Sequence, residues 1–129
     1  MMSFFLNFRQ SIRISLVIVY VGCIAALTLL PMRDLPQIPE FEGFDKIVHF
    51  TMYFIFSILL CWALKAELNY NWLYLIIPVT VGWGVFMEFM QRRMHLGRSF
   101  DIYDMFANSI GVSIGILLYL LLSCKFSKS

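Results

Sequence analysis

The stretch from Ile102 to Leu122, IYDMFANSIGVSIGILLYLLL, decides the fold. It is mostly apolar, and its length matches the roughly 20 helical residues that cross a bilayer core of about 30 Å. Gly111 and Gly115 form a small-xxx-small pattern, which lets transmembrane helices approach each other closely. Asp104 and Asn108 lie on the same helical face as these glycines. The stretch therefore predicts a membrane helix that packs this face against protein.

Three more apolar runs precede this stretch, at residues 14–30, 47–64 and 72–90. Their apolar residues are continuous, whereas strands of a membrane barrel alternate, and four strands are too few to close a barrel. Short connections between such helices favour antiparallel neighbours. We therefore predict an all-α fold, an integral membrane four-helix bundle with an up-down-up-down path. It would form a single transmembrane domain over residues 1–129, with its last helix at 102–122.

The composition also indicates a membrane protein. Of 129 residues, 60% are hydrophobic and 14% are charged, and the mean hydropathy is +0.79. Soluble domains have roughly 45–50% apolar and about 25% charged residues. A soluble domain of this size could not bury so much apolar surface, and a disordered chain would be more polar. The formal net charge of +2, without a long run of Lys or Arg, excludes a typical nucleic-acid-binding protein.

The orientation in the membrane follows less directly from the charges. If the amino terminus is cytoplasmic, each side receives five Lys or Arg residues, so the positive-inside rule gives no preference. Seven of the eight acidic residues then fall on the outer side, where they can pair with its cations. We predict a multi-pass protein with both termini in the cytoplasm. Arg9 and Arg13 are then expected to contact anionic lipid, and Tyr119 to anchor at the interface.

Three of the predicted helices each carry their polar residues on one stripe. At 100° per residue, the stripes fall within arcs of about 80°, about 60° and about 80°. Lipid disfavours such stripes, so we expect them to face one another at one end of the bundle. They comprise Lys46, His49, Tyr53 and Ser57, with Asp45 beside them, on the second helix, Gly84, Glu88, Gln91 and His95 on the third, and Asp101, Asp104, Asn108, Gly111 and Gly115 on the fourth.

Three blocks of this chain resemble the VanZ-like family of bacterial membrane proteins. They are DKIVHFTMY at 45–53, EFMQ at 88–91 and RSFDIYDMFANSIG at 98–111, in the family's order and near its spacing. The resemblance covers residues 14–122 and implies a protein of the bacterial inner (cytoplasmic) membrane. The family takes its name from an accessory protein of glycopeptide resistance, linked to teicoplanin, which implies a role in the cell envelope without a defined activity. The matching residues are Lys46, His49, Tyr53, Glu88, Gln91, Arg98, Asp101, Asp104 and Asn108.

These nine residues are the candidate ligand-binding set. Lys46, His49 and Arg98 could hold an anionic headgroup, because a guanidinium binds phosphate by paired hydrogen bonds and an ammonium acts as a point charge. The acidic residues would position these cations or contact an amine or a sugar. If this end of the bundle faces outward, the predicted partners are membrane lipids and a lipid-linked peptidoglycan precursor or its carrier, and not nucleic acid.

A structural interpretation remains open beside the binding one. Glu88, Arg98 and Lys46 could form a buried ion network that fixes helix register, with Arg98 pairing Glu88. Asp45 and Asp101 could then be helix N-caps. Such a protein would be a scaffold in the membrane, without a ligand.

A catalytic interpretation is the third and least favoured. His49 and the carboxylates could act as acid and base, or ligate a hard metal, in a membrane-embedded hydrolase or transferase acting on lipid phosphate. The sequence has no HExxH and no histidine pair at ligand spacing. It therefore predicts no metal site and no cofactor.

Overall fold

A computed structural model shows the fold of residues 8–30, 43–66, 68–94 and 102–127, with side chains up to residue 125. Within these ranges the chain forms four α-helices, one short 3-10 helix and no strand. The helices are α1 (Gln10–Leu29), α2 (Phe44–Leu64), α3 (Leu73–Arg93) and α4 (Ile102–Ser127), and the 3-10 helix Tyr70–Trp72 leads into α3. The predicted all-α fold is confirmed.

Each of the four α-helices in the described ranges is long and apolar enough to span a membrane. The spanning windows have mean hydropathies between 1.7 and 2.2. Large apolar side chains cover the outside of the bundle, as with Ile18 at 65% exposure and Leu121 at 60%. Such a surface suits acyl chains rather than water. The chain is therefore a multi-pass membrane protein.

Contacts between helix ends follow the predicted up-down-up-down path. Gln91 near the end of α3 donates a hydrogen bond to Thr28 near the end of α1. Lys46 in the first turn of α2 pairs with Asp104 in the first turn of α4. Alternate helices thus share their ends, as they do in a bundle whose consecutive helices run antiparallel.

The helices extend beyond the apolar runs that predicted them. α1 begins at Gln10 rather than 14, α2 begins at Phe44 rather than 47, α3 ends at Arg93 rather than 90, and α4 continues to Ser127 rather than 122. Several of the added turns carry charged residues, which suit the headgroup region and do not stop a helix. Arg92 and Arg93 in the last turn of α3 also complement the negative end of its dipole.

The structure corrects the expectation that Asp45 caps α2. The N-cap position is held by Gly43, whose φ of 89° lies in the left-handed region that glycine tolerates. Asp45 lies inside the first turn, where its carboxylate still favours the positive end of the helix dipole. Its side chain is 59% exposed, so it remains available to other partners. Asp101, the other expected cap, lies outside the described residues.

The interface between α2 and α4 is the most extensive one between described helices. Gly111 lies so close to the backbone of Phe50 that a Cβ at this position would overlap its carbonyl oxygen. A Cβ at Gly115 would overlap the Ser57 hydroxyl and lie 2.6 Å from the carbonyl oxygen of Phe54. The prediction that the glycine face packs against protein is confirmed.

Tyr119 does not anchor at the membrane interface, contrary to the prediction. It is 9% exposed and belongs to the apolar core with Phe56 of α2, Ile76 of α3 and Ile116 of α4. The reason is that α4 continues two turns past Tyr119, so this residue lies within the span rather than at its end.

Arg13 is buried at 4% exposure and does not face lipid headgroups, which corrects the second expectation for this end of the bundle. Its Nη1 donates a 2.8 Å hydrogen bond to the carbonyl oxygen of Trp62, in the last turn of α2. Its guanidinium carbon also lies 5.9 Å from the centre of the Trp62 ring. A carbonyl near a helix C-terminus and an indole face both attract a cation, which explains the inward position. Arg9 is exposed, and its contact with anionic lipid stays a prediction.

Candidate functional site

A polar cluster lies where the first turns of α2 and α4 meet the end of α3. We define it by Asp45, Lys46, His49, Glu88, Asp104 and Asn108, which contact one another directly. Residues four apart share one face of a helix, so α2 and α4 each present a pair of these side chains on one face. The close backbone approach at Gly111 brings the two faces together.

An ion pair joins α2 to α4 at the outer edge of the cluster. Nζ of Lys46 lies 2.7 Å from Oδ1 of Asp104. The lysine side chain is 36% exposed, whereas that of Asp104 is 6% exposed. The lysine therefore reaches inward from the rim, and its charge offsets the cost of burying the carboxylate.

His49 occupies the centre of the cluster and is 4% exposed. Its Nδ1 lies 3.1 Å from Oδ1 of Asn108, within hydrogen-bonding distance. Its Nε2 faces two carboxylates, at 3.8 Å from Oδ1 of Asp45 and 3.7 Å from Oδ2 of Asp104. Both distances exceed those of a hydrogen bond. One edge of the imidazole is thus held by an amide, and the other is directed at acidic oxygens.

Glu88 forms the floor of the cluster at 1% exposure. Its Oε1 lies 3.8 Å from Nδ1 of His49. One turn earlier on α3, a Cβ at Gly84 would lie 3.1 Å from Nδ2 of Asn108 and 3.3 Å from the ring of Tyr53. Because Gly84 has no side chain, α3 can pack against the cluster from the side opposite the interface between α2 and α4.

The described cluster carries more negative than positive formal charge. Asp45, Glu88 and Asp104 contribute three carboxylates, whereas Lys46 contributes one ammonium, which leaves two negative charges in excess when His49 is neutral. Buried charges require compensation by opposite charges or by hydrogen bonds. For Asp104, Lys46 supplies that compensation within the described residues.

The structure places the remaining candidates in three ways. Tyr53 is 1% exposed and lies beneath the cluster, with its ring against Gly84 and 6.1 Å from the ring of Phe56. Gln91 is 4% exposed, but its Nε2 donates a 2.7 Å hydrogen bond to the carbonyl oxygen of Thr28, so its amide ties α3 to α1. Arg98 and Asp101 lie outside the described residues, so the expected pairing of Arg98 with Glu88 stays a prediction.

Thr28 and Arg13 are two of the buried polar residues that the sequence patterns missed. Thr28 is 3% exposed and accepts the hydrogen bond from Gln91, but its backbone carbonyl carries the contact, which leaves no signal in the residue type. Arg13 was assigned to the lipid surface because nothing in its neighbours indicates that the end of α2 lies beside it. Neither residue belongs to the polar cluster.

The arrangement permits three kinds of chemistry. A histidine beside carboxylates can accept and release a proton. Carboxylates and an imidazole can bind a metal ion. A half-exposed lysine at the rim can contact a phosphate or carboxylate group. The cluster itself contains no serine, threonine or cysteine, so a hydroxyl or thiol nucleophile would have to come from another part of the chain or from water.

A family model described as VanZ/LLP1 matches residues 2–123, nearly the whole chain. A protein of Schizosaccharomyces pombe, described as uncharacterized, is 30% identical over 77 residues. That match covers 60% of this chain and 47% of the yeast protein, so the chain spans about half the length of the curated relative it matches. No solved structure matches the chain.

Proposed function

The chain belongs to the VanZ/LLP1 family, and we propose that it binds the headgroup of an anionic envelope lipid, or of a lipid-linked cell-wall precursor, at the polar cluster. The observation that carries this proposal is the gradient of exposure across the cluster. The side chains of Asp45 and Lys46 are 59% and 36% exposed at the rim, whereas Glu88 is 1% exposed at the floor. A polar site that opens at a helix end is reached from the headgroup layer, and a polar group inside a membrane is a candidate functional site.

The charges suggest how such a headgroup would be oriented. Its phosphate would lie at the rim near Lys46, the cation of the polar cluster, whose side chain is 36% exposed. Arg98, in the segment between α3 and α4, is the other Lys or Arg residue of the candidate ligand-binding set. The carboxylates would contact the amine or hydroxyl groups of the same headgroup, because these groups donate hydrogen bonds.

The cellular setting forms part of the same proposal. We place the protein in the bacterial inner membrane with both termini in the cytoplasm, so that the cluster opens on the outer side. Lipid-linked precursors of peptidoglycan are presented at that surface. A role in envelope homeostasis or in teicoplanin-type resistance would follow from binding such a precursor.

A structural role is the second candidate, and a specific observation favours it. The Lys46–Asp104 ion pair and the His49–Asn108 hydrogen bond link the same two helices that meet at Gly111. These polar contacts therefore also fix the register of α2 against α4, whether or not a ligand binds.

Mass spectrometry of lipids that co-purify with the protein separates these functions. The wild type, Lys46→Ala and Arg98→Ala would be compared with Lys125→Ala, which removes an exposed lysine near the other end of α4. We expect a phosphate-bearing lipid to be enriched with the wild type and the control, and several-fold less with the two cluster variants. All variants would first be checked for helicity and for a single species in detergent. Equal lipid profiles in folded variants would contradict the binding function and leave the structural one. A lipid product that accumulates over time would instead indicate an enzyme.

A further inference from the structure

We propose that Asp45, His49 and Asp104 form a binding site for one divalent metal ion, of the class of Mn²⁺ or Zn²⁺. Nε2 of His49 lies 3.8 Å from Oδ1 of Asp45 and 3.7 Å from Oδ2 of Asp104. One potential ligand atom from each of the three residues lies within 4.8 Å of the other two. Ligand atoms that sit about 2.0–2.2 Å from a common ion are separated by about 3–4.4 Å. Small side-chain movements would therefore complete the site.

The hydrogen bond on the other side of the His49 ring determines what Nε2 can do. The Oδ1 atom of Asn108 is a carbonyl oxygen that can only accept, so Nδ1 of His49 is the donor in the 3.1 Å contact. In the neutral ring, Nε2 then carries a lone pair and no hydrogen. Histidines that ligate metals commonly donate their second ring N–H to an amide or carboxylate oxygen in this way.

In this neutral form of the ring, three electron pairs converge on one point without a hydrogen between them. Nε2 of His49 and the facing oxygens of Asp45 and Asp104 are all acceptors, and their separations are too long for hydrogen bonds. His49 and Asp104 are each 4% exposed, so water does not freely solvate them. Acceptors that converge in this way, two of them on buried residues, repel one another unless a cation lies between them.

Lys46 leaves this position open. Its ammonium lies on Oδ1 of Asp104, whereas Oδ2 of the same carboxylate faces His49. The carboxylate can therefore hold Lys46 with one oxygen and a metal ion with the other.

The ligand set indicates the class of metal. Two carboxylates with one imidazole suit hard or borderline ions such as Mn²⁺ and Zn²⁺ better than soft Cu(I), which prefers sulfur ligands. Asp45 at the rim gives the ion an entry path from the aqueous side. Three protein ligands leave coordination positions for an oxygen ligand from outside the protein. A lipid phosphate would be such a ligand, and this step rests on the proposed function.

Mn²⁺ titration followed by electron paramagnetic resonance tests the site directly. The full chain would be purified in a phosphate-free maltoside detergent and stripped of metal. We expect one Mn²⁺ per chain that Zn²⁺ displaces, with affinity lowered about tenfold or more in Asp45→Asn and His49→Gln. Glu67→Gln is the matched control, because it removes one acidic charge from the connection after α2, and it should bind as the wild type does. Asp45→Asn changes an exposed side chain of nearly equal size, so it keeps the test valid if the His49 variant does not fold.

The outcomes separate this site from the proposed function. Absence of stoichiometric Mn²⁺ binding by the wild type, or equal binding by folded Asp45→Asn, would overturn the metal site without bearing on the Lys46 lipid comparison. Mn²⁺ binding that is lost in both ligand variants supports the site. Retention of the phosphate lipid after chelation by EDTA would show that the ion does not contact the lipid, whereas its release would support the bridge.

Discussion

Lys46 and Asp104 form a 2.7 Å ion pair between the first turns of two helices that are far apart in the sequence. The same two helices touch through their backbones at Gly111, where a side chain would overlap Phe50. The ion pair and the glycine contact therefore depend on each other. Without close packing the lysine could not reach the carboxylate, and without the lysine a nearly buried carboxylate would remain at this seam.

A double-mutant cycle on this pair should reveal a favourable coupling. Lys46→Met and Asp104→Asn should each lower the free energy of unfolding. The double variant should be more stable than the sum of the two losses predicts, by about 1 kcal/mol. The coupling is modest because the lysine side chain is 36% exposed and screened by water. Unfolding by SDS titration in mixed micelles would measure it. Strictly additive losses would mean that the pair does not stabilise the bundle.

Gly111→Ala should destabilise the bundle, whereas Gly82→Ala should not. A Cβ at 111 would overlap the backbone of Phe50, which cannot move without separating α2 from α4. We expect a loss of about 1–3 kcal/mol in the free energy of unfolding, as for other overpacked sites. Nothing lies within 4 Å of a Cβ at Gly82, so alanine there should be neutral or add up to about 1 kcal/mol through helix propensity. Equal stabilities of the two variants would show that the close approach is not needed.

Arg13→Ala should destabilise the opposite end of the bundle. It removes the hydrogen bond to Trp62 and the cation above the indole ring. Hydrogen bonds that involve charged groups contribute about 1.5–3 kcal/mol, which sets the expected loss. Arg9→Ala is the matched control, since Arg9 is exposed and one turn away. Thermal unfolding in detergent with tryptophan fluorescence would follow both, and similar melting temperatures would contradict the buried role of Arg13.

The number and order of the helices could be predicted because the membrane imposes long apolar runs. The ends of the helices could not, since Lys46 in α2 and Arg92 in α3 continue a helix where hydropathy falls. Hydropathy reports the thickness of the acyl layer rather than the length of the helix. The same limit placed Tyr119 at the end of a span that in fact continues to Ser127.

The facing of polar stripes could also be predicted, because helical periodicity and the cost of polar groups in lipid together require it. Lys46, His49, Glu88, Asp104 and Asn108 do meet, although their role in binding stays a prediction. Helical periodicity predicts which residues share one face of a helix, but it does not predict which other helix packs against that face. For this reason Gln91 shares the predicted stripe of Glu88 yet bonds to Thr28 of α1. The convergence of Asp45 with Asp104 on His49 likewise depends on the crossing of α2 and α4, which no local pattern encodes.

Asn108 gives a test of the metal site that does not change any proposed ligand. Its Oδ1 holds Nδ1 of His49 at 3.1 Å and thereby directs the lone pair of Nε2 toward the two aspartates. Asn108→Leu removes that acceptor and should weaken Mn²⁺ binding by about 10–100-fold, the usual effect of losing such a partner. Asn108→Asp keeps an acceptor oxygen of nearly equal size and should restore binding. If Asn108 had a purely structural role, both substitutions would change the free energy of unfolding, but Asn108→Leu would not bind Mn²⁺ more weakly than Asn108→Asp. If the folded leucine variant binds Mn²⁺ as tightly as the wild type, the orientation of His49 is not what builds the site.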